Sequence, residues 1–152
     1  MPDFFIPGLQ DPHVVHHFAL EVQGDVKGTF QECTGMETSN EVIEHRETDL
    51  QGKQQLTKIP GQLKVGDITL KRGVTDDTFL FDWRQQILNG QVDLARKDGS
   101  IILQDSMDQQ VARINFTRAW PQKYKTGDFK ATENSILIEE VTLAVEMIER
   151  AP

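Results

Sequence analysis

The 152-residue chain suits a single domain, long enough to bury roughly 70% of the surface its unfolded form exposes without a disulfide or metal to staple it. A hydrophobic share of 38% predicts a thin core and a polar surface rather than a large enzymatic cavity; no apolar run approaches the ~20 residues that span a bilayer, and one cysteine, Cys33, excludes an internal disulfide. The formal charge is -8 and the 16 Lys and Arg are scattered, so the basic footprint of a nucleic-acid binder is missing, and neither specific nucleic-acid binding nor a membrane anchor is expected.

Residues 1–12 carry Pro2, Pro7 and Pro12 with Gly8 and read as an N-terminal arm, followed by one domain over 13–152. Phe4, Phe5 and Ile6 are too apolar to be left in water, so the arm is expected to dock on its own domain or a neighbour. From Val14 to Val22 the alternation of His16, Phe18, Leu20 and Val22 predicts a half-buried strand. Gly24-Asp25 turns the chain into a second strand, Val26 to Thr34, making a hairpin with Phe30 inward. Glu41 to Thr48 is β-compatible with only Val42 and Ile43 as aliphatic anchors, which predicts an exposed strand. Asp49 to Lys58 has neither period and exceeds the usual connection of ~4–6 residues, so it is expected to be a functional or mobile loop. Pro60-Gly61 is a turn pair, and Leu63 to Lys71 alternates apart from a break at Gly66-Asp67.

Gly73 ends that strand. Thr75 or Asp76 suits the N-cap of a helix, because a short side-chain oxygen there accepts from a first-turn amide that has no partner in the helix. Phe79, Trp83 and Ile87 recur every four residues with Leu80 and Leu88 beside them, and Asn89-Gly90 closes the segment. This amphipathic helix, with Phe79, Leu80, Trp83 and Ile87 as its core face, is the only convincing one in the chain. Ser100 to Gln104 and Val111 to Arg118 then form a second hairpin around the turn Asp105 to Gln110, and Ala119-Trp120-Pro121 is expected to end it because proline cannot donate to a ladder. Ser135 to Glu149 keeps Leu137, Val141, Leu143, Val145 and Met147 on one parity and reads as one long strand. The sum is a mainly β fold: an antiparallel β-sandwich or partly open barrel with one flanking α-helix. Its edges expose unpaired backbone groups, so they are either covered by loops or paired between subunits.

No constellation supports an enzyme. His13, His16 and His17 invite a metal, yet neighbours on a strand point to opposite faces, so half-buried or surface histidines explain them better. Cys33 with the distant His45 has no motif around it, and Gly24, Gly28 and Gly35 lack both the spacing and the helix of a phosphate loop. Asp76-Asp77 fits a helix N-terminus, and Glu139-Glu140 a strand face meeting solvent or a partner. Trp83, Trp120 and Tyr124 read as core and interface anchors. No metal, cofactor or catalytic residue is therefore expected.

Several stretches together carry a resemblance. They are Phe30-Gln31-Glu32-Cys33-Thr34-Gly35-Met36, Glu41 to Arg46, Lys58-Ile59-Pro60-Gly61, Ile68 to Gly73, Phe81-Asp82-Trp83, Ala119-Trp120-Pro121 and Glu139 to Glu146. In this order and spacing the chain resembles the tail tube family of contractile phages and contractile injection systems. It is most similar to inner tube proteins of extracellular phage-tail-like particles, and more distantly to the haemolysin-coregulated tube protein of type VI secretion.

The resemblance implies a β-sandwich subunit that closes into hexameric rings, which stack into a hollow tube inside a contractile sheath. Baseplate or spike and tube-terminating proteins would bound the tube, and its lumen would carry effectors, or DNA in a phage. Assembly would take place in the cytoplasm, giving a phage tail-like particle or a virion tail. By the same resemblance the surfaces joining subunits and rings would include Phe4 and Phe5 of the arm, Leu50, Gly52, Lys53, Leu56, Lys58 and Ile59 of the long loop, Pro60 and Gly61 of the turn after it, and Asp108 of the later turn. A charge of -8 in every copy repels itself, so assembly should depend on salt. The rival expectation is a small-ligand or metal-binding β-barrel, favoured only if the histidines converge.

Overall fold

The computed structural model describes residues 14–74, 77–127 and 137–152. In chain order the elements are β1 (His17–Val22), β2 (Asp25–Phe30), β3 (Glu32–Thr34), β4 (Thr38–Thr48), β5 (Gln54–Val65), β6 (Ile68–Gly73), α1 (Phe79–Leu88), α2 (Val92–Ala95), β7 (Lys97–Gln104), β8 (Gln110–Thr126), β9 (Ile138–Ala144) and β10 (Met147–Arg150). One sheet runs β2-β1-β7-β8-β9-β6-β3, with β10 also on β8, and a separate two-stranded sheet is made of β4 and β5. The fold is mainly β and antiparallel, as the alternation predicted.

Two strands turn the sheet into a barrel by changing partners halfway. β2 pairs with β1, and after Gln31 the same stretch continues as β3 and pairs with β6. The Gln31 amide donates to the Lys71 carbonyl (3.0 Å), stitching the corner. β8 lies against β7 and β10 in its first half and against β9 in its second. At that junction Arg118 takes a positive φ of 48°, a backbone state that is uncommon outside glycine and bends the strand from one sheet to the other. Most of the sheet edges that the sequence left open are thereby closed within the subunit itself.

The core lies between the two halves of this barrel. Leu20, Val22 and Phe30 from β1 and β2, Ile68 and Leu70 from β6, Ile101 from β7, Phe116 from β8, and Val141 and Leu143 from β9 are all buried. Each is worth about 1.5–3 kcal/mol on removal from water. On α1, Leu80 and Trp83 are buried, while Phe79 and Ile87 are half-buried against the same cluster. The Trp83 indole N–H donates to the Ala95 carbonyl (2.6 Å), so the one polar atom of that side chain is satisfied inside.

Several sequence expectations are corrected here. A second helix, the single turn α2, follows α1 and supplies the carbonyl that Trp83 needs. Asp49 to Lys58 is not a loop: only residues 49–53 turn, and Gln54 already begins β5. Pro60-Gly61 is not a turn either, since Pro60 pairs with Val42 inside β5, and Pro121 does not end β8. Each of these prolines sits beside a register shift, between Asn40 and Val42 and between Pro121 and Lys123. A bulge interrupts the ladder where the proline has no N–H to give, and the strand continues. The last segment is split by a break at Val145-Glu146, so Met147 is exposed while Ile148 packs on the core. The proposed caps Thr75 and Asp76 lie outside the described residues; the residue preceding the helix is Thr78, and Asp77 Oδ1 accepts from the Phe79 amide (3.0 Å).

Candidate functional site

Gly35 and Gly66 form the neck from which β4 and β5 leave the barrel. Gly35 has φ 85°, a Cβ there would run into the Asp67 carbonyl oxygen, and a Cβ on Gly66 would stand 2.6 Å from the Gly35 carbonyl oxygen. The Gly66 amide donates to Glu37 (2.8 Å) across the neck. Only residues without side chains let the two strands cross this closely.

Beyond the neck β4 and β5 form one long hairpin that, among the described residues, stands apart from the barrel. Every residue of β4 is exposed, and in β5 only Gly61 and Val65 are not. Val42, Ile43, Leu56, Ile59 and Leu63 lie open on it, with Val42 62% exposed, and Leu50 is fully exposed at the tip. At that tip the Asp49 carboxylate accepts from the amides of Gln51 (2.9 Å) and Lys53 (2.8 Å), and Gly52 supplies a positive φ of 81°, so the turn is well determined. A two-stranded ribbon of this kind is marginal in water by itself, and an exposed apolar patch on a small protein marks an interaction surface.

Charge follows the same division. Residues 38–65 hold four acids, Glu41, Glu44, Glu47 and Asp49, and four bases, Arg46, Lys53, Lys58 and Lys64. The hairpin is formally neutral, and the whole excess of -8 falls on the rest of the chain. A neutral ribbon can be buried against another copy without adding to the repulsion between subunits.

The barrel keeps a buried cluster of charged and polar groups. Arg72 (5% exposed) and Glu139 (3%) are cross-strand partners on β6 and β9, and the Arg72 guanidinium donates through Nε to Glu139 Oε1 at 2.5 Å. Tyr124 from β8 donates its hydroxyl to the other Glu139 oxygen (2.6 Å), and Arg72 lies over the Phe30 ring, 5.0 Å from its centre. Arg72 Nη2 has no hydrogen-bond partner among the described residues and stands 4.0 Å from Asp77 Oδ2. Burial, together with the hydrogen bond to Glu139 and its charge, pushes the Tyr124 hydroxyl up to about 12, with Arg72 pulling the other way. The cluster ties three strands together beside a cleft of about 810 Å³ that opens where β2 and β6 part. Glu139 therefore meets an arginine inside the barrel and not solvent, contrary to the sequence expectation.

The sequence-predicted surface residues that the structure describes fall in two places. Leu50, Gly52, Lys53, Leu56, Lys58, Ile59, Pro60 and Gly61 are brought together on the hairpin. Asp108 lies elsewhere, at the β7–β8 turn, where its carboxylate meets His17 Nε2 at 2.8 Å. Phe4 and Phe5, like His13, lie outside the described residues. Sequence reasoning missed Val42, Ile43 and Leu63 as members of the hairpin surface, although Val42-Ile43 opposite Ile59 was a signal once residues 54–60 are taken as a strand. It also missed Arg72 and Glu139, which share parity with Ile68 and Leu70 and with Val141 and Leu143: opposite charges at inward positions of two strands.

The profile of the T4-like virus tail tube protein gp19 family matches residues 14–149. Among solved structures, the chain is similar to one in the sheath-tube complex of an extracellular contractile injection system, PVC, in its extended state, at 31% identity and TM-score 0.77 over 92% of this chain and 91% of that one. A chain of the PVC sheath/tube terminator aligns at 30% identity and TM-score 0.78, covering 95% and 100%. Hcp1 from Flavobacterium johnsoniae, at 22% identity and TM-score 0.52 over 88% and 94%, shares the fold. No curated protein matches the chain.

Proposed function

Because this chain belongs to the T4-like virus tail tube protein gp19 family, a family of structural tail components, we propose that it is the inner tube subunit of a contractile phage tail-like particle, closing into hexameric rings that stack into a hollow tube. The sheath surrounds that tube, baseplate and terminating proteins bound it, and its lumen passes cargo, with the subunits assembling in the cytoplasm. The role is mechanical and not catalytic. One observation carries the reading: the β4–β5 hairpin exposes apolar side chains on both faces and, among the described residues, leaves both strand edges open. In a ring those edges and part of that apolar surface are covered by other copies, as head-to-tail contacts permit. The PVC relatives, solved with sheath and terminator, support the same partners here.

The acidic barrel sets the conditions. With -8 on each subunit, repulsion between barrels reaches about 30 Å at 0.01 M salt but only about 10 Å at 0.1 M. Negative-stain electron microscopy of the purified protein across that range is expected to show open-centred rings or stacked tubes, more of them as salt rises. Monomers alone, at every salt and protein concentration, would overturn the proposal.

A further inference from the structure

The two faces of the hairpin are not equivalent, and we propose that they have different occupants: the face bearing Val42, Leu56 and Leu63 packs on a second copy of the chain, and the face bearing Ile43, Thr57 and Ile59 is turned to the water of the channel. The assignment rests on the hairpin being an intersubunit surface. It is read from the register, since cross-strand partners share a face. Val42 pairs with Pro60, Arg46 with Leu56, Glu44 with Lys58 and Asn40 with Leu63, whereas Ile43 pairs with Ile59, His45 with Thr57 and Glu47 with Gln55. The bulge opposite Glu41 is what keeps Leu63 on the same side as Val42.

Apolar content and charge both separate the faces. On the first, Val42, Leu56, Pro60 and Leu63 spread along the ribbon, so a neighbour can bury apolar surface over most of its length. On the second, Ile43 and Ile59 form one apolar pair, and the rest is His45, Thr57, Gln55 and charged groups. The charges of the first face are Arg46, 3.9 Å from Glu44, and Lys58, set opposite Glu44 by the register, which leaves one net positive charge. Those of the second are Glu41, 3.1 Å from Lys64, and Glu47, whose carboxylate meets His45 Nε2 at 2.7 Å; the formal Asp, Glu, Lys and Arg charges leave one net negative charge. Against a barrel whose described residues outside the hairpin carry a net charge of -4, the first face meets unlike charge and the second like charge. Complementary sign selects the docked orientation, and like charge disfavours the reverse. Beyond the single pair Ile43 and Ile59, a channel wall of threonine, glutamine, histidine and charged groups offers little apolar surface for a passing polypeptide to stick to.

The test compares substitutions on the two faces in the full chain, scored by the ring and tube fraction in electron microscopy with a thermal melt to verify folding. Val42→Glu and Leu56→Glu are expected to lower the assembled fraction at least tenfold, while Thr57→Glu and Ile59→Glu assemble like the parent. Loss of assembly in the second pair but not the first would reverse the faces and leave the hairpin's role standing. Loss in all four would mean that both faces are covered and would overturn the assignment. Assembly by all four would overturn the hairpin as an interface altogether. Thiol labelling gives an independent readout: in assembled tubes Thr57→Cys is expected to react with a small maleimide and Leu56→Cys to be protected, and the opposite pattern would sink the proposal.

Discussion

The barrel and the hairpin are built from the same antiparallel pairing, yet they gain stability in different ways. In β6 residues alternate buried and half-buried, and the same holds along β9 after its first residue; in β4 not one residue is buried. The barrel has partners for its strands because β2–β3 and β8 change sheets and close it. Among the described residues the hairpin has none beyond itself. Strand formation thus depends on local pattern and pairing, whereas burial is a property of what the strand is given to pack against. For this hairpin the proposed surface is that of another copy.

The sharpest way to break the comparison is to remove the barrel. Trp83→Ala deletes a fully buried ring and its hydrogen bond to Ala95 and is expected to cost about 3–5 kcal/mol. Urea denaturation of the monomer measures it. A midpoint unchanged from the parent would mean that α1 is not part of the subunit core.

The neck is the next test, because it joins the two regions without belonging to either core. Gly35→Ala places a methyl group against the Asp67 carbonyl at a positive φ and is expected to cost about 1–3 kcal/mol. The near-ultraviolet signal of Trp83 should survive while the assembled fraction falls, since the hairpin leaves the barrel at an altered angle. If assembly is untouched, the neck does not set that angle.

Alkaline pH probes the barrel's polar cluster more gently. The Tyr124 hydroxyl is pushed up to about 12 from an ordinary value near 10, first by burial and then by its bond to Glu139. Its protonated form is favoured by the fold, so the stability it contributes is complete below pH 10 and is lost as pH rises towards about 12. Burial pushes the Cys33 thiol up to about 12 in the same sense, whereas Lys97, held below its usual value by burial and by Lys27, works in the opposite sense. Thermal melts of Tyr124→Phe are expected to show a shallower loss of stability between pH 10 and 12 than the parent. An identical slope would assign the alkaline loss to other groups.

How much of this was legible in the sequence also divides along the comparison. The barrel was largely readable: Leu20-Val22, Phe116 and Val141-Leu143 alternate because one side of each strand is buried, and Phe79-Trp83-Ile87 repeats because one side of the helix is. The helix end at Asn89-Gly90 was readable for the same local reason, and Gly90 has φ 80°. The hairpin was only half readable. Glu41 to Thr48 looked like an exposed strand and is one, but Gln54 to Lys58 has no apolar alternation, since no core in its own subunit requires one. Pro60 and Pro121 misled for another reason. Proline signals a missing donor, and whether the chain stops or bulges there depends on partners distant in sequence. Arg72 and Glu139 were individually unremarkable charges, and only their parity with apolar neighbours on two separate strands reveals an inward pair.

The smallest expected effect on the monomer is the one that best isolates the hairpin. Leu50 at the tip touches nothing that holds the subunit together: it is fully exposed, and the turn beside it is fixed by Asp49 and Gly52. Leu50→Ser should therefore shift monomer stability by no more than about 0.5 kcal/mol. In the assembled particle the same side chain is expected to be covered, so the variant should need a higher protein concentration to form tubes, measured by sedimentation of the assembled fraction against free subunit. Equal sedimentation would place the tip in solvent even in the tube and confine the interface to the hairpin's flanks. A large loss of monomer stability would mean instead that the tip folds back on its own barrel, and the separation between the two regions would fail.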